Sequence, residues 1–198
     1  SLAAGATSTE TISYTIQTGN LTATANLVVS YEGVNDVAEF ALSLAEDTDN
    51  AIFEDSDDFT VRGTVVITDP DTGEGALVSS TASYGTVSVE GEDWTYTLEP
   101  NSAAVNALAA GERLTDTITF TSDDGTTQTQ TVVINGANDL SVISGSSTTL
   151  AFIEGDAAAI INSSVSVSDV DGSKIEGATV SITGGYIIGE DVLAFTDA

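Results

Sequence analysis

The stretch Gly136-Ala137-Asn138-Asp139 decides how this sequence divides into folding units. It closes a strand-like run, Thr129-Gln-Thr-Val-Val-Ile-Asn135, and a new strand-like run follows it. The same pattern stands earlier as Gly33-Val34-Asn35-Asp36, and from Asn35 to Asn138 the interval is 103 residues. A glycine followed by an amide and a carboxylate at a strand exit predicts a joint between tandem modules. We call the two stretches the first joint (33–36) and the second joint (136–139).

Self-comparison extends the match on both sides of the joints. An offset of 106 residues relates Leu2, Gly5, Glu10, Ile12 and Tyr14 to Leu108, Gly111, Asp116, Ile118 and Phe120. An offset of 100 residues relates Glu54, Asp69 and Asp71 to Glu154, Asp169 and Asp171. Constant offsets predict a tandem array of a unit about 100 residues long. The predicted parts are the rear of a preceding unit (1–36), one complete unit (37–139) and the front of a following unit (140–198).

Apolar alternation indicates that these units are built from strands. Ile12, Tyr14 and Ile16 alternate with polar residues, which predicts a half-buried strand, and Thr18-Gly19-Asn20 predicts its hairpin turn. The segment 101–110 carries the one helical signal, with Asn101 or Ser102 as its cap and Gly111 as its terminator. Strands are expected in the complete unit near 38–44, 60–68, 76–81, 84–90, 93–99, 115–122 and 127–135.

About seven short strands with turns every 8–12 residues are typical of an antiparallel Greek-key sandwich. The expected fold class is therefore all-β: tandem immunoglobulin- or cadherin-like sandwiches with one short helix per complete repeat.

The charge balance excludes several functions. The chain holds 31 acidic residues against 3 basic ones, for a formal charge of −28, so nucleic acid and anionic membrane surfaces are not expected partners.

The chain has no cysteine, methionine or histidine and no apolar run of membrane-spanning length. No nucleophile–base arrangement is visible, so we do not expect an enzyme. Acidic, cysteine-free, Thr/Ser/Gly-rich β-sequence favours an extracellular location on a bacterial surface.

Successive blocks of the complete unit resemble a known family. Ile67-Thr-Asp-Pro-Asp-Thr-Gly-Glu74, Trp94-Thr-Tyr-Thr-Leu98 and Thr115-Asp-Thr-Ile-Thr-Phe120, followed by the second joint, look like a VCBS repeat over about residues 53–139. Residues 140–198, with Asp169-Val-Asp171, are similar to the start of a bacterial cadherin-like repeat. The resemblance implies a calcium-rigidified extender region of a large secreted adhesin of the RTX type. By analogy with cadherins, Asp116 and Glu112 are further candidate ligands.

The carboxylates beside the joints are candidate calcium ligands. Calcium takes six to eight oxygen ligands, and Asp69-Pro70-Asp71-Thr72-Gly73-Glu74 offers two carboxylates two residues apart. An immunoglobulin-like strand order would return this loop beside the first joint, where Glu54 completes the cluster. The alternative is an acidic loop that only solvates the surface. The predicted ligands are Asn35, Asp36, Glu54, Asp69 and Asp71, and in the second set Asn138, Asp139, Glu154, Asp169 and Asp171.

Three functions remain open from the sequence. The first is a structural extender, in which Ca²⁺ at each joint removes hinge freedom between neighbouring repeats of one chain. The second is a filament subunit, in which the end fragments 1–36 and 140–198 complete a sandwich between neighbouring identical subunits, head to tail. The third is an adhesion module that binds a cell-surface receptor or glycan directly.

Overall fold

The computed structural model describes residues 1–46, 49–145, 149–172 and 174–194. The chain separates into two compact units, Ser1–Asn138 and Asp139–Ala198, which are described one by one. The division falls within the second joint, whereas residues 1–36 belong to the first unit together with the predicted complete repeat. None of the described residues forms a helix long and apolar enough to cross a membrane.

Over its described residues, the first unit contains ten strands. Each strand predicted for the complete repeat is present, with ends within two residues of the expected ones. β4 was not predicted, because three residues are too short to show a periodicity. The strands are β1 (Thr7–Thr18), β2 (Leu21–Glu32), β3 (Glu39–Leu44), β4 (Ala51–Phe53), β5 (Thr60–Thr68), β6 (Leu77–Thr81), β7 (Gly85–Glu90), β8 (Asp93–Leu98), β9 (Arg113–Ser122) and β10 (Thr127–Asn135).

Strands β3 to β10 form two four-stranded sheets with a common core, so the architecture is sandwich-like. One sheet has the order β3-β5-β8-β7 and the other β4-β10-β9-β6. β4 runs parallel to β10, and the other neighbours are antiparallel. Trp94 from the first sheet meets Phe120 from the second, with ring centroids 5.9 Å apart. The buried core is completed by Ile52, Val61, Val65, Tyr96, Leu98, Val105, Ile118, Val132 and Ile134.

The helix predicted over 101–110 is wrong. Within the described residues the chain has no helix, and this segment is a series of turns. Ser102 O accepts from Val105 N (3.1 Å) and from Asn106 N (3.0 Å), and Val105 O accepts from Leu108 N (3.1 Å). A segment this short has little intrinsic helical stability. Val105 of this segment is fully buried and belongs to the core.

Strands β1 and β2 form a separate two-stranded antiparallel hairpin. The turn at Gly19-Asn20 is where the sequence placed it, but the expected half-burial of Ile12, Tyr14 and Ile16 is wrong. These side chains are 50%, 56% and 64% exposed, because no second sheet of the first unit lies against the hairpin over the residues described.

The second unit has one small sheet within its described residues. β11 (Val142–Ser144) pairs antiparallel with β12 (Ser166–Ser168), and Val142 lies opposite Ser168. In the first unit Glu39 lies opposite Thr68. Val142 corresponds to Glu39 by the offset of 103 residues, and Ser168 corresponds to Thr68 by the offset of 100 residues. The strands β11 and β12 therefore pair in the same register as β3 and β5.

Candidate metal centre

A three-carboxylate cluster lies in the loop that follows β5. Oxygens of Asp69, Asp71 and Glu74 all lie within 4.8 Å of one another, and Asp71 is only 2% exposed. Asp71 N donates to Asp69 Oδ1 (2.7 Å), which folds the start of the loop. Gly73 has a φ of 93°, a conformation that favours glycine and turns the chain back toward the cluster. The cluster has the ligand types and the spacing to hold a metal ion.

The first joint is attached directly to this cluster. Asp36 N donates to Asp71 Oδ2 (2.8 Å). The Ser1 hydroxyl contacts Asp36 Oδ2 (2.7 Å) and Asp71 Oδ1 (2.6 Å). The Asn35 amide donates to Asp36 O (2.8 Å), which orders the joint itself. The structure therefore brings Asp36 of the first joint to the loop of Asp69 and Asp71, whereas the bond of Asn35 lies within the joint.

Two oxygens of the cluster have no internal partner. Asp69 Oδ2 and Glu74 Oε2 are buried, and neither makes a hydrogen bond to any residue that the structure describes. Buried polar atoms in folded proteins are nearly always satisfied, and a buried carboxylate oxygen without a donor is costly. A bound cation would satisfy both atoms at once.

The electrostatics of the loop also favour a cation. Burial raises the pKa of Glu74, and the negative charges of Asp71, Asp69, Asp123 and Asp124 raise it further. By contrast, hydrogen bonds from Ser1 and from the Asp36 N–H lower the pKa of Asp71, which therefore stays ionised. The positive charge of the Ser1 amino group also lowers the pKa of Asp71. The carboxylates around Glu74 outnumber this one charge, so a bound cation would relieve the repulsion that remains.

The turn between β9 and β10 supports the same loop. Asp123 Oδ1 accepts from Gly75 N (2.8 Å) and from Ala76 N (3.1 Å). Asp124 Oδ2 accepts from Ala38 N (3.0 Å), just after the first joint. Bonds from the Ser122 and Thr126 hydroxyls lower the pKa of Asp124. The sequence alone does not predict this contact, because nothing local links the turn at 123–125 to a loop that is 48 residues away.

Glu54 lies at the second joint, and its predicted grouping with the first joint is not what the structure shows. Its Oε1 accepts from Ala137 N (2.8 Å), and its own N–H donates to Asn135 O (3.1 Å). The cause is the parallel pairing of β4 with β10, which carries the residue after β4 to the residues after β10. Glu74, which the sequence left out of the ligand set, stands in the cluster instead.

The second set repeats the bonds of the first within the second unit. Asp139 N donates to Asp171 Oδ2 (2.8 Å), and Asp171 N donates to Asp169 Oδ1 (3.1 Å). The Ser141 hydroxyl donates to Asp169 Oδ2 (2.6 Å). Asp171 Oδ1 is buried with no hydrogen-bond partner among the described residues. Asn138 is the last residue of the first unit, and Glu154 is an exposed residue of the second.

Both joint glycines are required by close backbone packing. A Cβ on Gly136 would overlap the carbonyl oxygens of Leu108 and Ala109. A Cβ on Gly33 would overlap those of Leu2 and Ala3 in the same way. The residues correspond by the offsets found in the sequence, so each joint packs in the same way against the segment that precedes its own hairpin.

We expect Glu74→Gln to stabilise the metal-free protein at neutral pH. The folded-state pKa of Glu74 lies above its unfolded value, so its stabilising contribution is present below the unfolded pKa and is lost as pH rises through the folded pKa. Thermal unfolding in EDTA at pH 7 should therefore show a higher Tm for Glu74→Gln than for the wild type. The difference should vanish below about pH 4, where glutamate is protonated in both states.

Glu90→Gln is the matched control, because it removes the same charge from an exposed position in β7. An equal rise of Tm in both variants would mean that total charge is responsible, and would contradict a local effect at Glu74.

Comparison of the chain with protein-family models and with curated proteins found no match.

Proposed function

We propose that the cluster beside the first joint binds Ca²⁺, and that the protein is a calcium-rigidified structural extender. The observation that carries the proposal is a pair of buried oxygens, Asp69 Oδ2 and Glu74 Oε2, in a cluster joined to Asp36. Neither oxygen has a hydrogen-bond partner in the part of the chain that the structure describes. Calcium is favoured over softer metals because the chain offers only oxygen ligands, having no histidine, cysteine or methionine. It is favoured over Mg²⁺ because an irregular loop suits flexible coordination better than a strict octahedron.

The strand order supports the immunoglobulin-like part of this proposal. The orders β3-β5-β8-β7 and β4-β10-β9-β6 correspond to the ABED and GFC sheets of immunoglobulin-type sandwiches, with β4 added beside the last strand. This order places the loop after the second strand beside the residues that enter the first strand. It is also the arrangement implied by the resemblance to VCBS and bacterial cadherin-like repeats.

The extender role follows from where the ion would bind. Asp36 belongs to the joint between the β1–β2 hairpin and the sandwich, and it is already bonded to Asp71 of the loop. An ion shared by the loop and the joint would hold that joint in one conformation. Calcium sites of extracellular modules are typically weak, with Kd values of about 10⁻⁴–10⁻³ M. We propose a location on the bacterial surface, as the resemblance to adhesin repeats implies, with neighbouring repeats as the partners.

The proposal is tested by melting the protein with Ca²⁺ and with EDTA. Calcium at about 100 times its Kd adds about 2.7 kcal/mol per site, and a chain of this size gains about 2–4 °C in Tm per kcal/mol. We expect a rise of about 5–11 °C for one site, and a more extended small-angle scattering envelope in Ca²⁺. Asp69→Asn should remove most of the rise, whereas Asp93→Asn, at an exposed position of β8, should retain it. An unchanged Tm and an unchanged envelope in EDTA would contradict the proposal.

A further inference from the structure

The β1–β2 hairpin presents an apolar face and two long edges. Ile12, Tyr14 and Leu27 are each at least half exposed, and each strand is 12 residues long. Within the described residues the hairpin is a sheet of two strands only, so the outer edge of each strand is unpaired. Isolated hairpins are marginally stable in water, and long flat edges readily accept further strands. The hairpin therefore has the properties of an incomplete sheet.

The sandwich in the same unit shows what would complete it. β9 and β10 pair in the same register as β1 and β2. In the hairpin, Ser8 lies opposite Tyr31. In the sandwich, the corresponding residues Leu114 (offset 106) and Ile134 (offset 103) also lie opposite each other. In the sandwich this strand pair is flanked by β4 and β6 and faces the sheet of β3, β5, β8 and β7. The buried Ile118 and Phe120 correspond to the exposed Ile12 and Tyr14.

The second unit carries the complementary surface. Val165 is 58% exposed and Phe152 is 56% exposed, although the corresponding Val65 and Ile52 of the sandwich are 4% and 3% exposed. The β11–β12 pair reproduces the β3–β5 register, so this part of the unit has the backbone of a sandwich front. One end of the chain thus resembles the rear of a sandwich, and the other end resembles its front.

We propose that the described residues of the second unit (140–145, 149–172 and 174–194) of a second copy of this chain pack on the β1–β2 hairpin and complete a sandwich between the two chains. The segment 151–153 of the second copy adds in parallel to β2, as β4 adds to β10. Phe152 of the second copy then lies opposite Tyr31, as Ile52 lies opposite Ile134. Glu154 of the second copy accepts from Val34 N, as Glu54 accepts from Ala137 N. This contact is strand addition combined with burial of an apolar face.

The contact is head to tail, so it leaves one hairpin and one front unit free after every addition. Such contacts extend into open filaments unless their rotation closes a ring. The charge of −28 on each chain opposes association, and this repulsion is screened over about 8 Å at physiological ionic strength. Assembly should therefore strengthen with salt. The proposal does not rest on calcium binding, and it is tested in EDTA as well as in Ca²⁺.

The test is the mass of the 198-residue chain in solution, measured by sedimentation velocity and light scattering at about 0.15 M salt. We expect species that grow with protein concentration from the 20.1 kDa monomer. Ile12→Asp should abolish growth at the hairpin end, and Val165→Asp should abolish it at the front end. Thr11→Asp adds the same charge to the opposite face of β1 and should leave assembly intact. Trp94 fluorescence checks that the sandwich of each variant remains folded.

Mixing the two blocked variants identifies the pairing. Ile12→Asp keeps an intact front unit and Val165→Asp keeps an intact hairpin, so their mixture should stop at a dimer of about twice the monomer mass. Dimers of Val165→Asp alone would show that hairpins pair with each other, and would overturn the proposal. A wild-type chain that remains monomeric at every concentration and salt would also overturn it, since the hairpin would then need a different occupant, such as a neighbouring segment of a longer chain.

Discussion

Phe120→Ala will lower the free energy of unfolding of the sandwich by about 3–5 kcal/mol, while Tyr14→Ala will change it by no more than about 0.5 kcal/mol. The two aromatic residues correspond in the internal comparison and both lie on inward positions of their strands. Phe120 is fully buried against Trp94, whereas Tyr14 is 56% exposed. The expected difference in free energy arises because a second sheet covers β9 and β10, whereas the face of the β1–β2 hairpin is exposed.

Urea unfolding followed by Trp94 fluorescence measures this difference. Trp94 is the only tryptophan, it is fully buried, and it contacts Phe120, so its signal reports the sandwich and no other part of the chain. The measurement is made at a concentration at which the chain is monomeric. Ile118→Val and Ile12→Val form a second pair with a smaller expected effect. The first should lower the free energy of unfolding by about 0.5–1.5 kcal/mol, and the second should leave it almost unchanged.

Equal losses in Phe120→Ala and Tyr14→Ala would contradict the structure. They would mean that the hairpin already packs against a sheet in the monomer, and the exposed face would then not be available to a second copy. If neither substitution lowered the free energy of unfolding, the interface of the two sheets would contribute little to stability. That result would contradict the expectation from the complete burial of Phe120 and Trp94.

The sequence predicted the strands of the sandwich well because their inward faces alternate. Trp94, Tyr96 and Leu98 follow a period of two and are all buried in β8. The same reasoning failed for β1, because alternation shows which face is apolar but not whether another sheet covers it. The prediction from capping and alanine content also failed at 101–110, because a segment this short has little helical stability of its own, and it forms turns instead.

The candidate site was predictable where its residues are neighbours in sequence, and where an immunoglobulin-like strand order brings the first joint to the loop. Asp69 and Asp71 belong to one loop, so their spacing alone indicated a cluster. Glu54 was grouped with the wrong joint because that choice depends on the parallel pairing of β4, a strand of three residues without a periodic signal. Asp123 joins the loop through backbone amides of Gly75 and Ala76, and hydrogen bonds of this kind leave no mark in the sequence.

Asp116 was considered a possible metal ligand, but the structure gives it a structural role. It stands at an inward position of β9, between Leu114 and Ile118, where the alternation calls for an apolar residue. It is 1% exposed, and its carboxylate accepts from Ser83 N, Tyr84 N, Thr117 N and the Tyr96 hydroxyl. A carboxylate at an inward strand position was the signal in the sequence that could have identified it.

Asp116→Ala should therefore destabilise the sandwich by about 3 kcal/mol or more. The substitution leaves the four donors without their acceptor, and a buried unsatisfied group costs about 1–3 kcal/mol. Burial raises the pKa of Tyr96, and the bond to Asp116 raises it further, so this hydroxyl remains protonated and remains one of the donors. Urea unfolding followed by Trp94 fluorescence measures the loss.

Asp116→Asn separates the hydrogen-bond network from simple packing, because it preserves the shape of the side chain. Oδ1 faces Ser83 N and Thr117 N, and Oδ2 faces Tyr84 N and the Tyr96 hydroxyl. In either orientation the new amide group therefore points at a backbone N–H that cannot rotate away. The loss should approach that of Asp116→Ala, whereas Tyr96→Phe, which removes one donor and leaves three, should cost about 0.5–1.5 kcal/mol. If Asp116→Asn were as stable as the wild type, the carboxylate would not be the acceptor that joins β9 to the residues before β7.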